Sequence, residues 1–360
     1  MNIYKYLVKP FAFRMDSEDA HNAAMRLAQS ANDTDLLRKV TRFLFDYQSK
    51  SLRQFLMGLD FRNPLGTAAG FDKNGTILHT LEAMGLGFTE TGSITAHPSQ
   101  GNSRPRLFRL IKDRAIINRM GLNNNGAESV VKRLLDSNHG IPKGINIAKT
   151  HDPTITGKQA IEDYLKSYKL AEPAADYIML NISCPNTAEG KTFEQKQPLT
   201  DLLNAVYETR NEQSPPLLVK FSPDLPSTKL TELLDITEKF DVDGYAAVNT
   251  SSTRKGLRTA PDKLESIGRG GLSGKPLHQK GCAVIKQIRQ VCGPDKTIIG
   301  IGGVDSFQSA LDKLESGADL LQIYTGFIYE GPAIIKHINK KLARHMQKKN
   351  LNSIRELRKV

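Results

Sequence analysis

The sequence predicts an α/β fold, a TIM (β/α)8 barrel with an N-terminal helical extension. Three observations carry this: eight short apolar segments alternate with longer amphipathic stretches, most segments end at Gly, Asn, Lys or Thr, and the glycine-rich loops come late. The segments are 65–69, 88–92, 144–148, 177–181, 217–220, 244–248, 297–301 and 320–323. Helical patterns at 77–84, 199–209, 228–240, 280–291 and 306–315 lie between them. Ser306 and the Ser227/Thr228 pair are expected N-caps, and Gly85 and Gly317 expected helix stops. Such alternation argues for a parallel sheet with right-handed crossovers. An open doubly wound sheet would want its phosphate loop after the first strand, yet GTAAGFDKNG (66–75) does not fit GxGxxG. The glycine-rich loops instead follow the sixth, seventh and eighth strands: GRGGLSG (268–274), GIGGV (300–304) and YTGF (324–327). Barrels build phosphate sites there. No repeat or linker is visible, so 1–47 reads as a helical attachment and 48–360 as one barrel domain.

Composition agrees with a folded enzyme-sized chain. Of 360 residues, 39% are hydrophobic and 24% charged, which excludes disordered, collagenous and disulfide-stapled classes. Three cysteines (Cys184, Cys282, Cys292) without a CxxC or a Cys/His cluster give no structural zinc and a reducing compartment; no metal is expected. No run of eighteen apolar residues exists, and the N-terminus lacks the pattern of a secretory signal.

Both ends are unusual. Ile3, Tyr4, Leu7, Val8 and Phe11 recur at helical spacing beside Lys5, Lys9 and Arg14, with no acid before Asp16. That pattern suits a membrane-surface helix, and equally a terminal helix packed on its own domain. The net charge is +12. Two-thirds of it sits in 331–360, where nine basic side chains face Glu356 alone. A solvated C-terminal helix, frayed at its end, explains this more simply than nucleic-acid or lipid binding.

Sites in a barrel lie at the C-terminal ends of its strands. The first strand runs into Ala69, Gly70, Phe71, Asp72 and Lys73. The third reaches Asn146, the fourth Asn181 to Thr187, the fifth Lys220, and the sixth Asn249 and Thr250. Each has a bland reading, as turn former or solvent-facing cation. Several amides and two ammonium groups on one rim are harder to dismiss. Amides donate and accept together, which suits a planar ligand edged with imides and carbonyls. No Ser/His/Asp order, paired-carboxylate pocket or HExxH motif points to a hydrolase.

These residues also carry a family resemblance. AAGFDKNG, GNxxPRLFRL (101–110), INRMGLNNNG (117–126), NISCPNT (181–187), GGLSGKPL (270–277), IIGIGGV (298–304) and QIYTGFIYEGP (322–332) resemble dihydroorotate dehydrogenase, in register from Leu65 to Pro332. SEDAH (17–21) looks like the class 2, quinone-reducing branch. The resemblance implies an FMN-bearing barrel that oxidises dihydroorotate to orotate in pyrimidine synthesis. It implies a peripheral protein on the cytoplasmic side of the cell inner membrane, its N-terminal helices meeting membrane and quinone, with no nucleic-acid partner. Implied FMN contacts are Ala69, Gly70, Phe71, Asp72, Lys73, Ser93, Asn146, Asn181, Lys220 near N1 of the flavin, Val248, Gly274, Gly303, Tyr324 and Thr325. Implied substrate contacts are Lys73, Asn118, Arg119, Met120, Gly121, Leu122, Asn181, Asn186, Asn249 and Thr250. Cys184 stands where class 2 members usually have a serine base, a feature of the soluble class 1 enzymes. A class 1 enzyme using fumarate or NAD, and a flavin barrel acting on RNA, are the alternatives.

Overall fold

The computed structural model describes residues 4–137, 139–183 and 192–360. Eight parallel strands form the barrel: β1 (Leu65–Thr67), β2 (Thr89–Ile94), β3 (Lys143–Ile147), β4 (Tyr177–Asn181), β5 (Leu217–Phe221), β6 (Gly244–Ala247), β7 (Thr297–Gly300) and β8 (Leu320–Ile323). They pair in the order β1-β8-β7-β6-β5-β4-β3-β2, and a parallel bridge between Gly66 and Phe88 closes the ring. The strands read as short apolar runs because both faces are covered.

The period of two sorts each strand. On β4, Ile178 and Leu180 pack outward against the helices, while Tyr177 and Met179 join the inner core with Leu218, Ala246, Ile299 and Leu320. By the same alternation Asn146, Asn181, Lys220 and Gln322 turn inward near the strand ends, each 6% exposed or less. A small hairpin, Gln54–Leu56 with Leu59–Phe61, brings Leu56 and Phe61 to the inner core.

Ser306 caps its helix, accepting from Ser309 N in a reciprocal box. Pro226, not the Ser227/Thr228 pair, occupies the cap position of the helix Ser227–Lys239, and no side chain caps it. The sequence reading missed a three-stranded antiparallel sheet of Leu107–Leu110, Ala115–Asn118 and Gly271–Gly274. It places Asn118 directly opposite Gly271.

The C-terminal end is packed rather than frayed. Helix Ala333–Lys348 buries Ile334, Ile335, Ile338, Leu342 and Met346, and beyond it Ile354 and Leu357 are buried too. Arg358 and Arg289 converge on the fully buried Asp319, and Lys359 pairs with Glu315. Part of the basic tail is therefore structural, while Lys340, Lys341, Arg344 and Lys348 remain exposed.

At the other end, α1 (Ser17–Asn32) starts at Asp16, whose carboxylate accepts from Glu18 N and Asp19 N. α2 (Asp35–Phe45) follows. Glu18 ties α1 to the barrel through Arg106 at 2.7 Å. Of the N-terminal apolar stripe, Ile3 lies outside the described residues. Tyr4 turns inward, donating to the carbonyl of Ile328, while Leu7, Val8 and Phe11 stay exposed. A larger apolar face lies on α2, where Leu36, Val40, Phe43 and Leu44 are exposed at helical spacing, Phe43 at 83%. Among the described residues no helix is long and apolar enough to cross a membrane.

Candidate active site

The C-terminal mouth of the barrel, roofed by the antiparallel sheet, holds about 1130 Å³ of empty space, part of it open to solvent. Its floor is polar. Asn249 Nδ2 donates to Asn181 Oδ1 at 3.0 Å, and Asn181 Nδ2 donates to Ser93 Oγ at 3.0 Å. Ser93 in turn hydrogen-bonds Asn146 Oδ1, and Asn146 Nδ2 donates to Glu90 Oε1 at 2.9 Å. Beside this chain Lys220 Nζ stands 3.9 Å from Glu90. These groups come from the ends of β2 to β6, adjacent in the ring, so the topology gathers what the sequence scatters.

At one side Gly303, Tyr324 and Thr325 face Ser273 and Gly274 across the cavity, and Thr325 Oγ1 lies 2.9 Å from Ser273 Oγ. Gly303 has φ +79°, and a Cβ there would sit 2.8 Å from His278 Cα and 2.9 Å from its amide nitrogen. Only glycine fits that backbone. Gly274 is similar, with φ +100° and a Cβ position 2.8 Å from Thr325 Cγ2.

Behind Tyr324, Phe71 links the cavity wall to α1. Phe71 makes edge contacts with Tyr324 (5.6 Å), Phe327 (5.1 Å) and His21 of α1 (6.0 Å). Burial lowers the His21 pKa to about 4, with Lys73 adding and Glu18 opposing. The unfolded chain takes up that proton below about pH 6.5, so this contribution to stability is lost as pH falls from about 6.5 to about 4, by roughly 1.4 kcal/mol per unit. Unfolding curves of wild type and His21→Gln across that range check this. Equal slopes in the two proteins would contradict it.

The match to the model of the family described as dihydroorotate dehydrogenase covers residues 51–346. The chain belongs to the dihydroorotate dehydrogenase family. It is 40% identical to a dihydroorotate dehydrogenase (quinone) of Christiangramia forsetii, over 94% of this chain and 98% of the relative. It is 39% identical to one of Nocardioides sp., over 92% and 94%. A crystal structure of the dihydroorotate dehydrogenase of Eimeria tenella in complex with ferulenol superposes with TM-score 0.84 at 29% identity, covering 95% of this chain and 94% of that one.

Most residues implied by the resemblance to dihydroorotate dehydrogenase do come together. Ala69, Gly70, Lys73, Ser93, Asn118, Met120, Gly121, Leu122, Asn181, Lys220, Val248, Asn249, Thr250, Gly274, Gly303, Tyr324 and Thr325 line the cavity. Four do not. Phe71 belongs to the aromatic cluster, and Asp72 accepts from Thr76 N and Ile77 N at 2.9 Å, closing the turn that follows β1. Arg119 reaches the carbonyls of Pro105, Ile267 and Arg269 and stacks on Phe108, fixing the roof. Asn146 lies one layer deeper, between Ser93 and Glu90. Cys184 and Asn186 lie outside the described residues. Sequence reasoning missed Gln322, Leu107, Ile116 and Ser273, which line the cavity, and Glu90 beneath it. The clearest available signal was Glu90, a lone carboxylate in an otherwise uncharged strand.

Proposed function

We propose that this chain oxidises dihydroorotate to orotate, with FMN as cofactor and a membrane quinone as acceptor, in pyrimidine synthesis. The observation that carries the reading is the convergence of Lys73, the Asn249–Asn181–Ser93 chain and Lys220 on one cavity, which Tyr324 and Phe71 connect to His21 of α1. The cavity suits FMN. At Gly274 and Gly303, whose positive-φ backbone only glycine fits, it is lined by bare main chain, and its amides match the imide edge of a flavin. When bound, FMN supplies the two-electron chemistry, taking hydride from C6 of the substrate and delivering the electrons to quinone.

The protein's part is positioning, charge and proton transfer. Lys220 offers a cation where the flavin ring gains negative charge on reduction. Cys184 serves as the base for the C5 proton. Asn118, Asn249 and Thr250 hold the imide edge, and Lys73 holds the carboxylate. The exposed faces of Leu7, Val8 and Phe11 and of Leu36, Val40 and Phe43 rest on the inner membrane from its cytoplasmic side, so that quinone enters beside α1. Flavin released from heat-denatured, purified protein should chromatograph as FMN. FAD or no flavin would overturn the cofactor assignment.

Burial lowers the Lys73 pKa to about 8. The ammonium is present below that pH and lost as pH rises through it, so orotate binding should be constant below about pH 8. Above it, binding should weaken by up to about tenfold per unit, until the higher pKa of the complex is reached. Titration of the flavin spectrum with orotate measures this, and a Kd flat to about pH 9.5 would remove Lys73 from the carboxylate.

Deleting the residues before about Phe43 should abolish quinone reduction and liposome binding, yet leave anaerobic bleaching by dihydroorotate. A folded truncation that reduces quinone at the full rate would refute the assignment of this segment.

A further inference from the structure

Glu90 is a carboxylate at the wrong depth for a solvent-facing charge. It is the second residue of β2, 1% exposed, and its neighbours below include Tyr177 of the inner core. Burying a charge there is costly unless it is paired and its oxygens are hydrogen-bonded. Both conditions are met. Oε1 accepts from Asn146 Nδ2 at 2.9 Å and faces Lys220 Nζ at 3.9 Å. Oε2 accepts from Gln322 Nε2 at 2.6 Å and from the Tyr177 hydroxyl at 3.2 Å.

Two consequences follow from an acceptor that cannot donate. The first is direction. Asn146 must turn its NH2 to Glu90, which leaves its Oδ1 to accept the Ser93 hydroxyl proton. Ser93 Oγ then accepts from Asn181 Nδ2, and Asn181 Oδ1 accepts from Asn249 Nδ2. Four donors in series point at one carboxylate; the outer two amides are also held from the backbone, Asn181 Oδ1 accepting from Ser183 N at 3.4 Å and Asn249 Nδ2 donating to Ser183 O at 3.1 Å, so Glu90 governs the inner links, at Asn146 and Ser93. The second is charge, because Glu90 is a counter-charge to the ammonium of Lys220 at the cavity floor.

We propose that Glu90 is a positioning residue: it turns the Asn146 amide so that the Ser93 hydroxyl donates to it, and it sets the potential of the flavin by offsetting Lys220. This rests on the reading that a flavin lies in the cavity with Lys220 at its edge. Among the described residues no carboxylate lines the cavity itself; Glu90 lies just beneath it, 3.9 Å from Lys220 Nζ.

The test is the midpoint potential of the bound flavin, measured by anaerobic dye-coupled reduction. Glu90→Gln keeps the shape, removes the negative charge and adds a donor. Reduction should become easier by about tenfold in the equilibrium, an upward shift of about 30 mV for a two-electron couple. Tyr177→Phe removes one donor from Oε2 without changing charge, so the carboxylate balances Lys220 more fully and the potential should fall. A merely structural carboxylate would not produce shifts of opposite sign. If Glu90→Gln fails to fold, the sign with Tyr177→Phe decides. An unchanged or oppositely shifted potential in a folded, flavin-loaded variant overturns the proposal while leaving the proposed function standing. Wild-type protein that neither carries nor takes up flavin overturns both.

Discussion

Replacing Cys184 with alanine should slow reduction of the flavin by dihydroorotate by about 10²–10⁴-fold, the usual worth of a positioned base. Reoxidation by quinone should stay close to wild type, because that half-reaction needs no proton from C5. The chemistry fixes the asymmetry: the C5 proton leaves only when substrate is oxidised. Cys184→Ser should keep partial activity with the pH–rate limb moved upward, since a hydroxyl yields its proton less readily than a thiol of ordinary pKa near 8.5. Anaerobic stopped-flow separates the two half-reactions. A wild-type bleaching rate in the alanine variant would mean that the base is another group.

Gly303→Val should yield folded protein that has lost essentially all its flavin. The backbone at 303 has φ +79°, and the first atom of any side chain would meet the backbone of His278 at 2.8–2.9 Å. The left-handed conformation alone costs an L residue roughly 1–2 kcal/mol, which a domain stable by about 5–15 kcal/mol can absorb. Relief of the overlap would move the loop between β7 and the following helix, and that loop lines the cavity. Absorbance per folded protein, with circular dichroism as the control, gives the answer. Full flavin occupancy in this variant would remove the loop from the site.

The barrel was legible because its strands are buried on both faces, so each appears as an apolar run whose end is marked by a polar residue. Asn181 and Lys220 stand at such ends and do face the cavity. The antiparallel roof was not legible, because its pairing joins Gly271 to Asn118 across most of the barrel sequence. Its strand GLSG shows no alternation. Glu90 and Gln322 were missed for a related reason: their meaning lies in hydrogen bonds across the ring, between β2 and β8. The face of α2 could have been read from DLLRKVTRFLF, whose apolar residues recur at helical spacing. Arg358 illustrates the opposite error, since its charge looked like solvated tail and instead neutralises a buried aspartate.

In the proposed function, the polar cavity at the barrel mouth takes electrons from dihydroorotate and passes them to a quinone delivered beside α1. Mixing the purified full-length protein with dihydroorotate without oxygen, then adding a ubiquinone or menaquinone analogue, tests it in a single cuvette. The account predicts yellow protein that bleaches on the first addition, releases orotate, and regains its colour on the second. Protein that stays yellow with dihydroorotate, or bleaches but is recoloured only by fumarate or NAD, would contradict it.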